Sequence, residues 1–383
     1  MPFPALIQNL QQLKTQGSFR HRRVLQSPQG VHVKVDGKAY LSFCSNDYLG
    51  LADHPRLIEA AREGAELWGI GAGASHLVCG HHAAHEALED ALAKFVGLPR
   101  ALTFSTGYMA NLGAVTALMR RGDTIFADRL NHASLNDAAL LSRADCKRYP
   151  HLDIAALERV LARSQSERKL VLTDSVFSMD GDIAPVPALL ELCEQYDSWL
   201  LLDDAHGFGV LGREGRGALS HFALRSPRVV YMATLGKAAG VFGAFVAGED
   251  EVIETLVQCA RSYIYTTATP PMLAHTLLES LDLIRAEGWR RIRLTGLIRQ
   301  LKSSLRLRAF RLLPSDTAIQ PLIIGGNDEA MNASARLAEK GILVPAIRPP
   351  SVPQGQARLR ISLSAAHSGE DVDRLVSAVH AIE

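Results

Sequence analysis

Trp199-Leu200-Leu201-Leu202-Asp203-Asp204-Ala205-His206-Gly207 is an apolar run that ends in two acids, a small residue, histidine and glycine. Four large apolar residues without alternation read as a strand covered on both faces, the condition of a parallel sheet flanked by helices. In open sheets of that kind, ligands bind beyond the carboxyl ends of the strands. Asp203 and His206 therefore stand at a candidate site. A second apolar run, Val229-Val230-Tyr231-Met232, leads into Ala233-Thr234-Leu235-Gly236-Lys237-Ala238-Ala239-Gly240, so Lys237 follows the next strand end. Small neighbours let a flat ligand approach the backbone, and partial burial lowers an amine's pKa towards its nucleophilic form. Read alone, Lys237 is a strand-end lysine, Asp203 a loop or cap aspartate and His206 a turn histidine. Together they supply a Schiff-base amine, an acid for a pyridinium nitrogen and a ring-contacting histidine, which pyridoxal phosphate requires.

The rest of the chain suits a soluble α/β protein. With 383 residues, two domains are the natural expectation. An apolar share of 47% with 21% charged residues excludes general disorder, and a net charge of +1 without a basic run argues against nucleic acid as partner. Cys44, Cys79, Cys146, Cys193 and Cys259 are scattered, without a CxxC pair. They read as reduced thiols of a cytoplasmic protein, with no metal site expected. Leu6, Leu10 and Leu13 suggest an amphipathic helix over Met1 to Gln16, expected to pack on its own protein, and no stretch suits a membrane span. Helices are expected at Pro55 to Trp68, His85 to Val96, Ala110 to Met119 and Pro187 to Tyr196, with buried strands at Lys169 to Thr173, Trp199 to Leu202 and Val229 to Met232. Strands alternating with helices imply crossover units and a mostly parallel sheet. Near residue 285 the pattern changes to a basic helix, Gly288 to Leu307, and strands at Ile319 to Ile324 and Ala357 to Leu363. The division expected is an N-terminal helix and arm (1–45), a large domain (46–285) and a small C-terminal α+β domain (286–383).

The order Gly107-Tyr108, His132, Asp203-x-x-His206, Thr234-x-x-Lys237 resembles the fold-type I pyridoxal-phosphate enzymes, and within them the α-oxoamine synthases. The resemblance runs from the Arg20 region to Ala365-Ala366-His367. Its most specific blocks are Ser45-Asn46-Asp47-Tyr48-Leu49-Gly50-Leu51, Val176-Phe177-Ser178-Met179-Asp180-Gly181-Asp182, Asp203-Asp204-Ala205-His206-Gly207 and Ala346-Ile347-Arg348-Pro349-Pro350. It implies a seven-stranded, mostly parallel sheet and a catalytic set of Lys237, His132 and Asp203. The backbone of Gly107 and Tyr108 would hold the cofactor phosphate, with Thr234 beside it. Thr266 and Thr267 would reach the partner subunit's phosphate, which implies a homodimer. His132 would stack on the ring, Asp203 would pair with its nitrogen, and His206 and Ser178 would lie near its phenolic oxygen.

On the substrate side, the resemblance assigns Arg360 to the amino-acid carboxylate, Asn46 to the amino acid and Arg20 to the acyl substrate. Strand alternation puts Arg358 and Arg360 on one face. Ser351 stands where the family has threonine, and a hydroxyl survives there for binding. Asp174 stands where glutamate is usual. Gly71 to Leu77 departs from the family's glycine pattern, which leaves Ser75 and His76 without a role. The implied reaction is decarboxylative condensation of L-alanine with a pimeloyl thioester of coenzyme A or an acyl-carrier protein, on the route to biotin. The alternatives are an α-oxoamine synthase using glycine and a shorter acyl thioester, or a pyridoxal-phosphate-sensing regulator. The regulator would need a DNA-binding module, and the sequence offers no spare basic helical segment for one.

Overall fold

The computed structural model describes residues 3–15 and 19–383. Seven strands form the main sheet: β1 (Arg100–Phe104), β2 (Thr124–Asp128), β3 (Asp145–Tyr149), β4 (Lys169–Asp174), β5 (Trp199–Asp203), β6 (Val229–Thr234) and β7 (Ala244–Gly248). They lie in the order β1-β7-β6-β5-β4-β2-β3. β7 runs antiparallel to both neighbours, and the remaining pairs are parallel. The expected seven-stranded, mostly parallel sheet is therefore present.

Continuous apolar runs appear in the central strands because both faces are covered. Leu170, Leu172, Leu201, Val230 and Met232 pack on one face with Ala110, Ala114, Val115 and Leu118. Val171, Leu200, Leu202, Val229 and Tyr231 pack on the other with Leu189, Leu277 and Leu281. Each fully buried side chain of this size contributes about 1.5–3 kcal/mol. Leu201→Ala, at a site with no solvent exposure, would cost about 2–5 kcal/mol.

Element ends differ instructively from the expected ones. The helix expected from Ala110 begins at Gly107 and runs to Leu118. Thr106 caps it from an extended conformation, its hydroxyl accepting the Met109 N–H at 3.2 Å. The glycine expected in a turn is thus the first helical residue, and the helix N-terminus moves to the strand ends. The basic helix spans Trp289–Ser304. A four-stranded sheet follows, with Ile319–Gly325 beside Ala357–Ser362 and short strands at Arg311–Leu312 and Ala346–Ile347 on its edges.

The antiparallel pair His32–Val35 and Lys38–Ser42 takes Ile342–Leu343 as a parallel third strand, joining the beginning of the chain to its end. The N-terminal helix runs Pro4–Thr15; Met1, Pro2 and Gln16 of the expected span lie outside the described residues. Its expected packing on the chain is not found. None of its residues is buried, and Leu6 and Leu10 are 57% and 49% exposed, so the apolar stripe stays largely open to solvent. Among the described residues, no helix is long and apolar enough to cross a membrane.

Candidate active site

Asp174 and Asp203 close β4 and β5 and are register partners; Met232 lies opposite Asp203 on β6. The strand pleat separates the two adjacent acids of the opening sequence. Asp203 faces the Gly107–Leu118 helix, where its Oδ2 accepts from Asn111 Nδ2 at 2.7 Å and its Oδ1 accepts from the Ala205 N–H at 3.0 Å. Asp204 points to the other side, accepting from Ser175 Oγ, from the Ala218 N–H at 2.7 Å and from Tyr231 OH at 2.6 Å. Burial lifts the Asp204 carboxyl to about 6 despite those donors. It pins the turn that carries His206; Asp203 serves the site.

Lys237 lies in the turn after β6, closed by the Gly240 N–H on the Lys237 carbonyl at 2.9 Å. Gly240 has φ +71, and a Cβ there would meet the Leu51 carbonyl carbon at 2.7 Å, so only glycine fits. Lys237 Nζ lies 2.9 Å from His206 Nε2, and His206 Nδ1 lies 2.7 Å from Tyr48 OH. Tyr48 donates to Asn46 Oδ1 at 3.2 Å, and Arg360 Nη1 reaches the same oxygen at 3.1 Å. The hydrogen-bond directions are mutually consistent when His206 carries its proton on Nδ1. Nε2 then accepts from the lysine and Nδ1 donates to the tyrosine oxygen. Burial lowers Lys237 to about 8, with Asp203 and Asp174 partly restoring its charge and Arg360 opposing it. Burial, with the Lys237 charge next, holds His206 well below the ordinary histidine value.

His132 sits above the ends of β2 and β4. Its Nδ1 lies 2.7 Å from Ser134 Oγ, and its backbone N–H donates to Asp174 Oδ2 at 2.7 Å. Burial lowers its pKa, while the Asp203 charge acts the other way. Burial and the neighbouring Asp203 charge raise Asp174 well above the carboxylate range. Asp174 holds the loop that carries His132, a task its shorter side chain performs from the strand end. Ser134 Oγ also accepts from Asn111 Nδ2 at 2.9 Å.

Pyridoxal phosphate fits this arrangement on the chain's own terms. The amine is buried and partly neutral at physiological pH, and a carboxylate stands behind it. Asn111 Oδ1 is buried without a partner, a polar atom left over beside Asp203. The Gly107 backbone lies so close to Thr234 that an added Cβ would meet Thr234 Cγ2 at 2.6 Å. The bare N–H groups of the helix start are therefore presented without a side chain in the way, as phosphate binding favours.

The other expected residues divide into two groups. Ser178 joins the site through its carbonyl, which accepts from Arg360 Nε at 2.5 Å. Arg360 Nη1 also donates to Ser362 Oγ at 2.9 Å, and Arg358 Nη1 pairs with Asp180 Oδ1 at 2.7 Å. Both arginines therefore face the Ser178–Asp180 turn. Tyr108 is 44% exposed and its hydroxyl donates to Asp137. Arg20, Thr267 and Ser351 are exposed and Thr266 is half-buried. Among the described residues, no hydrogen bond joins those four side chains to the Lys237 network. A cavity of about 600 Å³ opens beside the lysine turn, lined by Arg23, Val33, Asn46, Gly236, Val241 and Leu343 among others. Sequence reading gave no role to Tyr48, Asn111 or Ser134. Tyr48 lies inside a motif block that was read for its neighbours.

The chain matches the family described as aminotransferase class I and II over residues 38–379. It is 65% identical to an 8-amino-7-oxononanoate synthase of Nitrosospira multiformis over 95% of this chain and 92% of that one. Two solved serine palmitoyltransferases, one from Sphingomonas wittichii and one holding pyridoxal phosphate, share 30% identity with a TM-score of 0.93. Each alignment covers 100% of this chain and 97% of theirs. The solved 8-amino-7-oxononanoate synthase of Francisella tularensis is also 30% identical, with a TM-score of 0.76 over 89% of this chain and 96% of that one. The TM-score ranks backbone shape, which many activities share, whereas identity ranks the side chains that select substrates. Shape and identity thus point to different enzymes here, and identity weighs more for the substrate.

Proposed function

This chain belongs to the aminotransferase class I and II family, and from that premise we propose that it condenses L-alanine with a pimeloyl thioester. The products are 8-amino-7-oxononanoate, carbon dioxide and the free thiol, in biotin biosynthesis. One observation carries this reading: near-full-length likeness, at high identity, to a synthase of that name, with the Lys237–His206–Tyr48 chain and Asp203 buried at the strand ends.

Pyridoxal phosphate, when bound, supplies an aldehyde that condenses with amines and a ring that withdraws electrons from the α-carbon of the amino acid. The chain supplies the rest. Backbone N–H groups at Gly107 and Tyr108, with the Thr234 hydroxyl, are proposed to hold the phosphate, and Asp203 to hold the proton of the ring nitrogen. His132 would cover one face of the ring. Lys237, with its amine near 8, is suited to take the α-proton and later return it. His206 and Tyr48 hold the amine in line, and Tyr48 couples it to the Asn46–Arg360 pair. Arg360 would grip the substrate carboxylate with a planar guanidinium. The net bond changes balance: the α-carbon loses a proton and bonds the acyl carbon, the C–S bond breaks, and the carboxylate leaves as carbon dioxide. The α-carbon then regains a proton.

The apolar walls of the cavity beside Gly236 suit the methylenes of the acyl chain, with Arg20 and Ser351 proposed as further contacts. The proposed acyl donor is a thioester of coenzyme A or of an acyl-carrier protein, and the protein is proposed to be cytoplasmic, consistent with five free cysteines. We propose a homodimer in which Thr266 and Thr267 reach the neighbouring protomer's phosphate site. Fully active monomers in sedimentation at micromolar concentration would contradict it.

The deciding experiment is a product assay of alanine, glycine and serine against acetyl, succinyl, pimeloyl and palmitoyl thioesters. One methyl group discriminates by about 1–3 kcal/mol, whereas several buried methylenes at about 0.8 kcal/mol each accumulate. Selectivity for the acyl chain should therefore exceed selectivity for the amino acid. Faster turnover with glycine and an acetyl thioester, or with serine and palmitoyl, would replace this reading.

A further inference from the structure

Away from Lys237, the stretch His76-Leu77-Val78-Cys79-Gly80-His81-His82-Ala83-Ala84-His85-Glu86 packs four histidines, a cysteine and a glutamate into one turn and a helix start. Nothing in the proposed reaction uses them. His76–Gly80 forms a single π-turn, an uncommon element concentrated at functional sites. The helix Ala83–Val96 follows. One ring nitrogen each from His76, His81 and His85 lie within 4.8 Å of one another, and the Nδ1 atoms of His76 and His81 face each other at 2.9 Å. A tetrahedral zinc ion with bonds of about 2.0–2.1 Å spaces neighbouring ligands by about 3.3 Å. The first pair is thus already near ligand spacing, and the third ring needs only a modest approach.

The contacts outside this cluster orient the rings for ligation. His81 Nε2 lies 3.0 Å from Glu86 Oε2, and His85 Nε2 lies 2.9 Å from the Thr269 carbonyl. An imidazole that donates one N–H to a carboxylate or carbonyl turns its other nitrogen, lone pair free, to a metal. For His81 that nitrogen is the Nδ1 facing His76, where it accepts the His76 Nδ1–H at 2.9 Å, so the His76 proton must move to its Nε2 before both nitrogens can ligate. For His85 it is the Nδ1 now accepting the His82 N–H at 3.0 Å, a bond the metal must displace, which moderates affinity. Oxygens of Glu86 and Glu89 lie within 4.8 Å of a His81 nitrogen and of each other, and the 27% exposure of the His81 side chain leaves an entry path.

We propose that His76, His81 and His85 bind a divalent transition-metal ion of the zinc class, with Glu86 and the Thr269 carbonyl orienting two of the rings and water at the open position. The ion would tie the π-turn to the following helix and, through His85, to the segment holding Thr266 and Thr267.

The test uses the cofactor-loaded protein, dialysed against a chelator and titrated with Zn²⁺ and with Ni²⁺ in competition with a chromophoric chelator. One equivalent per chain at low-micromolar affinity is expected. His76→Asn and His81→Asn should each weaken binding more than tenfold, and Glu86→Gln about tenfold, the usual effect of an orienting contact. Cys79→Ser should bind as the parent does. The cofactor absorbance band and the melting temperature report folding. Glu86 has a 71% exposed side chain, so Glu86→Gln keeps the test valid if a histidine variant misfolds. Absence of stoichiometric binding up to 100-fold excess metal overturns the proposal. So does undiminished binding in the His76→Asn/His81→Asn double variant, or loss of binding in Cys79→Ser, which would mark a thiol site.

Discussion

Replacing Lys237 by methionine should stabilise the cofactor-free protein at neutral pH. Burial holds the amine at about 8 rather than the ordinary 10.5, although Asp203 and Asp174 favour its charge. At about 1.4 kcal/mol per tenfold change in proton affinity, that gap corresponds to about 3 kcal/mol. The penalty is fully present below pH 8, where the folded and unfolded states both carry the proton. Between pH 8 and 10.5 the folded chain has released its proton while the unfolded chain still binds one, so stability rises with pH and the penalty fades. Methionine has similar length and no charge. It removes the penalty but also the 2.9 Å contact with His206, a loss of about 1 kcal/mol. The net gain is about 2 kcal/mol at pH 7, falling to zero or below near pH 10.5. Urea unfolding of both cofactor-free proteins at pH 7 and pH 10, followed by tryptophan fluorescence, measures it. A variant no more stable than the parent at pH 7, or a gain undiminished at pH 10, would refute the reasoning. A buried charge kept at such a cost is what selection for chemistry over stability leaves behind.

Borohydride reduction of the cofactor-loaded protein, then peptide mapping, should place the pyridoxyl group on Lys237; a label on another lysine sinks that assignment. Asp203→Asn should retain the cofactor yet lose about two to three decades in kcat, the equivalent of about 2–4 kcal/mol for a weakened buried charge contact. Steady-state rates at parental level would remove Asp203 from its role. His151 bridges Asp128 Oδ1 at 3.0 Å and Asp182 Oδ2 at 2.8 Å. Burial opposes its charge, but the hydrogen bonds and charges of the two aspartates outweigh that and raise it to about 10. A raised histidine stabilises fully below pH 6.5 and loses that contribution as pH climbs through about 10. The destabilisation caused by His151→Asn should therefore shrink from pH 6.5 to pH 10, and thermal melts showing a constant difference would contradict the pairing.

The buried strands were legible because a parallel sheet covered on both sides demands unbroken apolar runs, as at Leu200–Leu202 and Val229–Met232. Lys237 and His206 were legible because their chemistry is out of place beside such runs. Arg358 and Arg360 shared a face by simple alternation. Their partners at Met179, Asp180, Ser178 and Asn46 carry no local signal. The same holds for Asp203 and Asp204: neighbours of identical chemistry, they take opposite roles because strand register turns one to Asn111 and the other to Tyr231. Gly107 looked like a turn until the Thr106 cap and the approach of Thr234 made it the first residue of a helix. The histidine cluster was equally silent, since its rings converge only when the π-turn folds back onto a helix start anchored to Thr269. Periodicity and residue chemistry are local and can be read along the chain. Which distant ends meet is set by packing and register summed over contacts hundreds of residues apart, as for Arg360 with Asn46, and only the folded structure holds that sum.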